Sequence, residues 1–103
     1  MSLTRNSKPY RAVINEATAA SNEIVAAVSG KRIVVTNVVL AVASGGTVTW
    51  QSGSTAISGP ISASYTAGDA YGGLFETAIG EALNLLGATA DQISGHLTYV
   101  LLP

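Results

Sequence analysis

The stretch Lys31-Arg-Ile-Val-Val-Thr-Asn-Val-Val-Leu-Ala-Val-Ala-Ser-Gly-Gly-Thr-Val-Thr-Trp50 decides the fold. Its first part is a β-branched run, and such side chains are stiff at χ1 and suit a pleated sheet better than a helix. Gly45 and Gly46 then break the run, and Thr47, Thr49 and Gln51 alternate with Val48 and Trp50. Because paired glycines supply the positive φ values of a tight primed turn, the pattern predicts a hairpin. Strict alternation puts Val34, Val38, Leu40 and Val42 on one face of the first arm, and Ile33, Val35, Val39 and Ala41 on the other. Both faces are apolar. One can fill the core, but the other needs a cover, either a further layer of the same chain or a neighbouring subunit. Ile33, Val35 and Val39 are therefore the expected oligomer interface, while the return arm looks buried on one side only.

Working outward, Tyr10 to Asn15 alternates Tyr/Ala/Ile with Arg/Val/Asn and predicts a short strand. Glu16 to Val28 admits two readings: the spacing of Ala20, Ile24, Ala27 and Val28, with Ser21 or Asn22 as a cap, allows a helix. The Ser29-Gly30 pair and the strand that follows favour a strand instead, as one arm of another hairpin. Beyond Trp50, Gln51 to Pro60 is small and turn-rich, Ala67 to Gly73 is a glycine loop carrying Asp69 and Tyr71, and Leu74 to Thr77 is briefly extended. Leu83 and Leu85 oppose Asn84. In the last predicted strand, Ile93 to Leu102, Leu97, Tyr99 and Leu101 oppose His96, Thr98 and Val100. About eight short strands separated by Gly, Ser and Pro predict an all-β antiparallel β-sandwich or jelly roll. The expected organisation is an extended arm over residues 1–10 and one sandwich domain over residues 11–103.

Composition narrows the function. At 103 residues the chain can bury roughly two thirds of its unfolded surface in a single core. Hydrophobic residues make up 48% and charged residues 11%, against roughly 25% charged in an average domain, which points to self-association. No cysteine is present, so disulfides, thiolate nucleophiles and thiolate zinc sites are excluded. No run approaches the roughly 18 apolar residues of a membrane span, and the start lacks a signal-peptide core, so a soluble protein made in the cytoplasm is expected. With five basic residues in all, nucleic-acid recognition has little support. Arg5, Lys8 and Arg11 precede the first acid, Glu16, whereas Lys31 and Arg32 stand among all six acids. A basic arm on an acidic body suits an acidic partner surface, or is simply a solvated terminus.

Catalytic chemistry finds little footing. Asp91, Ser94 and His96 invite a triad, but side chains two apart on one strand lie almost 7 Å apart, too far for the serine–histidine hydrogen bond that a triad needs. Glu76 and Glu81, five apart, and Asp69 are candidates for glycoside hydrolysis or calcium binding, yet solvated acids on turns account for them as well. One histidine and no cysteine leave a transition-metal site dependent on carboxylates from distant strands. Gly72-Gly73 lacks the lysine and helix of a phosphate loop. Trp50, Tyr65 and Tyr71 are the candidate rings for stacking a sugar, although core packing explains Trp50 better. No cofactor is expected.

The succession Gly30-Lys-Arg-Ile-Val-Val35, Gly46-Thr-Val-Thr-Trp-Gln-Ser-Gly-Ser54, Leu74-Phe-Glu-Thr77, Gly80-Glu-Ala-Leu-Asn-Leu85 and Ser94-Gly-His-Leu-Thr-Tyr-Val100 resembles a group of small tailed-bacteriophage virion proteins, some of them similar to capsid decoration or cement proteins. The likeness spans about Asn22 to Val100 and marks the sandwich framework, so no functional residue is carried across. It implies a non-enzymatic structural protein of the virion that binds the major capsid protein on the outer shell as a homotrimer. On that expectation one face of Ile33 to Ala41 lies between subunits, and Met1 to Arg11 docks on the shell through Arg5, Lys8, Tyr10 and Arg11. A tail-fibre or baseplate module that binds host glycan through Tyr71 is the alternative, because fold does not fix function.

Overall fold

The computed structural model describes residues 8–43, 46–62, 64–68 and 73–103. Among these residues nine strands form: β1 (Tyr10–Glu16), β2 (Ser21–Val25), β3 (Arg32–Val42), β4 (Val48–Ser52), β5 (Thr55–Ala56), β6 (Tyr65–Gly68), β7 (Phe75–Glu76), β8 (Leu83–Gly87) and β9 (Ile93–Leu102). There is no helix among the described residues, and Glu16 to Val28 contributes the strand β2. All pairings are antiparallel.

The pairings are nested. β4 returns directly as β5 around Gly53, whose φ is 57°. β3 pairs with β6 and β7, β2 with β8, and β1 with β9, so the chain is one long hairpin that is rolled up. Rolling sends alternate pairs to opposite layers: β1-β9-β3-β6, with β7 also on β3, makes a five-stranded sheet, and β2-β8-β4-β5 a four-stranded one. This is the strand order of a jelly roll, within the antiparallel β-sandwich or jelly-roll class expected from the sequence. Between the layers, Ile14, Ile33, Val35, Val38, Leu40, Ile93 and Leu97 of the first sheet meet Val25, Val48, Trp50, Leu83 and Leu85 of the second in one core.

Rolling overturns both predicted hairpins. β3 lies in the five-stranded sheet and β4 in the four-stranded one, so Lys31 to Trp50 crosses from layer to layer. Crossing lets Val48 and Trp50 cover Val38 and Leu40 from the opposite side, which a hairpin in one sheet would not do. Gly45 lies outside the described residues. Gly46 does not have a positive φ; it is buried where a Cβ would press on Val42 Cγ1 at 3.0 Å and Asp91 Cβ at 3.2 Å. The Ser29-Gly30 turn likewise joins β2 of one sheet to β3 of the other.

A bulge corrects the face assignment of β3. Val35 pairs with Tyr99 and Asn37 with Thr98, leaving Thr36 as an extra residue whose Oγ1 donates to the Thr98 carbonyl at 3.2 Å. An inserted residue exchanges the faces beyond it. Odd positions Ile33 and Val35 therefore point into the core before the bulge, and even positions Val38 and Leu40 do so after it. The inner face of β3 is apolar along its whole length for this reason. Val34 points out and is covered locally by Val100, Leu102 and the approach of Gly73.

Candidate functional site

The outer face of the five-stranded sheet carries the side chains that the core does not use. Register sets them in rows across the strands: Arg11–Thr98–Asn37–Gly68 runs from β1 to β6, and Val13–His96–Val39–Thr66 runs beside it. Directly paired residues in neighbouring strands point the same way, so each row shares one face. Together they line a shallow depression of about 340 Å³ containing Arg11, Asn37, Val39, Thr66, His96 and Thr98. Val13 at the edge is 71% exposed and Val39 37%. Toward Val34 the face is closed by its own small cluster, so the open part is the Arg11–His96 end.

Glycines shape this region from both sides. Gly68 has no side chain to fill the depression, and a Cβ there would collide with Asn37 Oδ1, so the amide lies across it. Gly95 has φ 143°, and a Cβ on it would run into the Val39 carbonyl. On the inner side Gly95 sits between Ile14 and Leu40 in register, both buried. The close approach of β9 to β3 brings His96 beside Val39.

Electrostatically the depression is a donor site. Arg11 is the one permanent charge among its described lining residues and has no ion pair with a described carboxylate, whereas Arg32 pairs with Glu76 at 3.2 Å. Asn37, Thr66 and Thr98 add neutral hydrogen-bonding groups, and no described carboxylate lines the depression.

The residues singled out in the sequence are dispersed. Arg11 is part of β1 and faces the depression rather than belonging to an arm. Tyr10 also belongs to β1; it stacks on Tyr99 with ring centroids 5.4 Å apart, and Lys8 Nζ lies 5.3 Å from the Tyr10 centroid. Arg5 lies outside the described residues. Of the expected interface, Ile33 and Val35 are 0% exposed in the core and face away from Val39. That is a correction, and the bulge at Thr36 is its cause. Only Val39 faces outward.

Asp91 accepts a 2.5 Å hydrogen bond from Thr89 Oγ1, Ser94 Oγ accepts one from Gln92 Nε2 at 3.2 Å, and neither is bonded to His96. Glu76 pairs with Arg32, whereas Glu81 accepts from Ser52 Oγ at 2.5 Å, so the two carboxylates serve different neighbours. Asp69 and Tyr71 lie outside the described residues. Trp50 is 1% exposed, which removes its ring from any sugar platform, and its Nε1 donates to Oη of the half-buried Tyr65 at 3.0 Å. No three His, Asp or Glu side chains gather as a metal site among the described residues.

The rows define a class: a two-layer jelly-roll domain with an open, donor-rich patch on one outer sheet face. No family model, curated protein or solved structure matches this chain.

Proposed function

We propose that this chain is a non-enzymatic structural protein of a phage virion, a decoration protein that binds the major capsid protein on the outer shell as a homotrimer. The observation that carries the reading is the open outer face of the five-stranded sheet, where a cation and exposed valines stand on rigid paired strands with no layer of the described chain over them. A docking protein requires such a rigid face and requires no chemistry at it. The low charge fraction and the sequence resemblance support the same role.

Self-association belongs at the end of the sandwich. Val28 and Ile79 are exposed there on neighbouring turns, which are joined by the Gly80 N–H donating to the Lys31 carbonyl at 2.8 Å. This assignment leaves the sheet face to the shell, and it replaces the core residues Ile33 and Val35 with accessible ones.

Cosedimentation with shells of the source virus stripped of this protein, alongside mass photometry of the free chain, tests the reading. Saturable binding by a trimer is expected. A chain that ignores shells and is recovered with purified tails would overturn it.

A further inference from the structure

Resting on the docking reading above, we propose that the depression between β1, β9, β3 and β6 is a carboxylate-recognition site that receives an acidic side chain from an extended segment of the partner polypeptide. Charge complementarity argues for this occupant. The described lining holds one permanent cation, Arg11, with no carboxylate of the described chain to neutralise it. A guanidinium binds a carboxylate through two parallel hydrogen bonds, a geometry specific to planar acids. The Asn37 amide, laid across Gly68, and the hydroxyls of Thr66 and Thr98 can hydrogen-bond the remaining lone pairs.

The surroundings select a polypeptide over a sugar. Apolar side chains adjoin the site: Val13 and Val39 stand on either side of His96 in the row next to that of Arg11, a surface that suits a segment carrying apolar side chains near its acid. Sugar sites ordinarily offer an exposed aromatic face, and none of the described residues lining the depression is a tyrosine, tryptophan or phenylalanine. Arg11 also stands on the edge strand β1, so a segment can approach from the side as well as from above.

The test is a ¹⁵N-HSQC titration of the full chain with acetyl-Val-Ser-Glu-Ser-Val-amide, with the peptide carrying Gln in place of Glu, and with trigalacturonate. The Glu peptide is expected to shift the amides of Arg11, Asn37, His96 and Thr98. Binding should weaken about tenfold with the Gln peptide or in Arg11→Met, and about threefold in Arg11→Lys, because an ammonium keeps the charge and loses the fork. Gly68→Ser, which displaces the Asn37 amide without touching the charge, should weaken it as well. Melting curves of each variant verify folding.

Equal binding of the Glu and Gln peptides overturns the proposal, as does binding of trigalacturonate alone, which would make this a glycan site. Concentration-dependent shifts at the same amides without peptide would make the occupant a second copy and overturn it too. The shell assay separates this inference from the reading beneath it. Peptide binding without shell binding leaves the site and removes the decoration role, whereas undiminished shell binding by Arg11→Met does the reverse.

Discussion

Gly95→Ala should unfold this protein more readily than any other single methyl group added at the candidate site. Gly95 is paired with Ile14 on β1 and Leu40 on β3, at the centre of the five-stranded sheet. Its φ of 143° lies where L side chains are strained, and the new Cβ would meet the Val39 carbonyl and come within 3.2 Å of Leu40 Cα. These are backbone atoms of the longest strand, so no rotamer change relieves the clash. Holding a non-glycine residue in such a conformation costs about 1–3 kcal/mol, and forcing an added methyl into a filled core costs about the same again. A loss of about 4 kcal/mol corresponds to a fall in Tm on the order of 20 °C for a domain of this size, a large share of the 5–15 kcal/mol typical of whole domains. Urea unfolding followed by tryptophan fluorescence reads it directly, since Trp50 is in the core; Cm should fall with m unchanged. Gly59→Ala is the control, because nothing lies within 4 Å of a Cβ there. If Gly95→Ala stays within about 1 kcal/mol of the parent, the close β9–β3 approach is not what holds His96 against Val39.

Tyr65→Phe leaves the buried indole N–H of Trp50 without its acceptor and should cost about 1–3 kcal/mol, measured as a lower midpoint in urea. Ser52→Ala removes the hydroxyl that donates to Glu81 and accepts from the Ala78 N–H at 2.9 Å; a similar loss is expected, and a neutral result would show that water replaces it. Burial, and secondarily the neighbouring Tyr10, raises the pKa of Tyr99 above 10.0. The unfolded chain therefore loses this proton first, and the stabilisation, complete below about pH 10, is lost as pH rises through the folded value; Tyr99→Phe should flatten that alkaline decline in Tm. Ile79→Asp should convert a trimer to monomers by mass photometry with little change in Tm, and a persistent trimer would place the subunit contact elsewhere.

Strand content was legible because it depends on local chemistry. The β-branched run of β3, the Leu83/Leu85 alternation of β8 and the Leu97/Tyr99/Leu101 face of β9 all behave as their side chains predict. Connectivity was less so: a glycine break after an apolar run reads as a hairpin, yet here it marks a change of layer, and only the partner strands reveal the difference. The face of β3 was misread because strict alternation has no place for Thr36. One signal was present, since Thr36 and Asn37 interrupt an otherwise apolar run, and a polar pair in a strand with two greasy faces is where an extra residue is most easily accommodated.

The candidate site was barely visible in sequence for a reason built into the topology. Nested pairing brings the two ends of the chain together, so that Arg11 and Thr98 are neighbours although 87 positions separate them. β3 and β6 then add Asn37, Val39 and Thr66 from the middle of the chain. No window of sequence contains more than a fragment of the depression, and none of its residues belongs to a spaced motif. A jelly roll concentrates local information in its core, where alternation must hold along each strand, and composes its outer faces from register alone. Register in turn rests on Gly95 and on the bulge at Thr36: shifting β9 by one residue against β3 would send His96 inward and Leu97 out. The packing that excludes water from the core is therefore the same packing that aligns Arg11, Asn37 and Thr98 in one row, and a variant that loosens the β9–β3 contact should degrade binding at this face before it abolishes the fold.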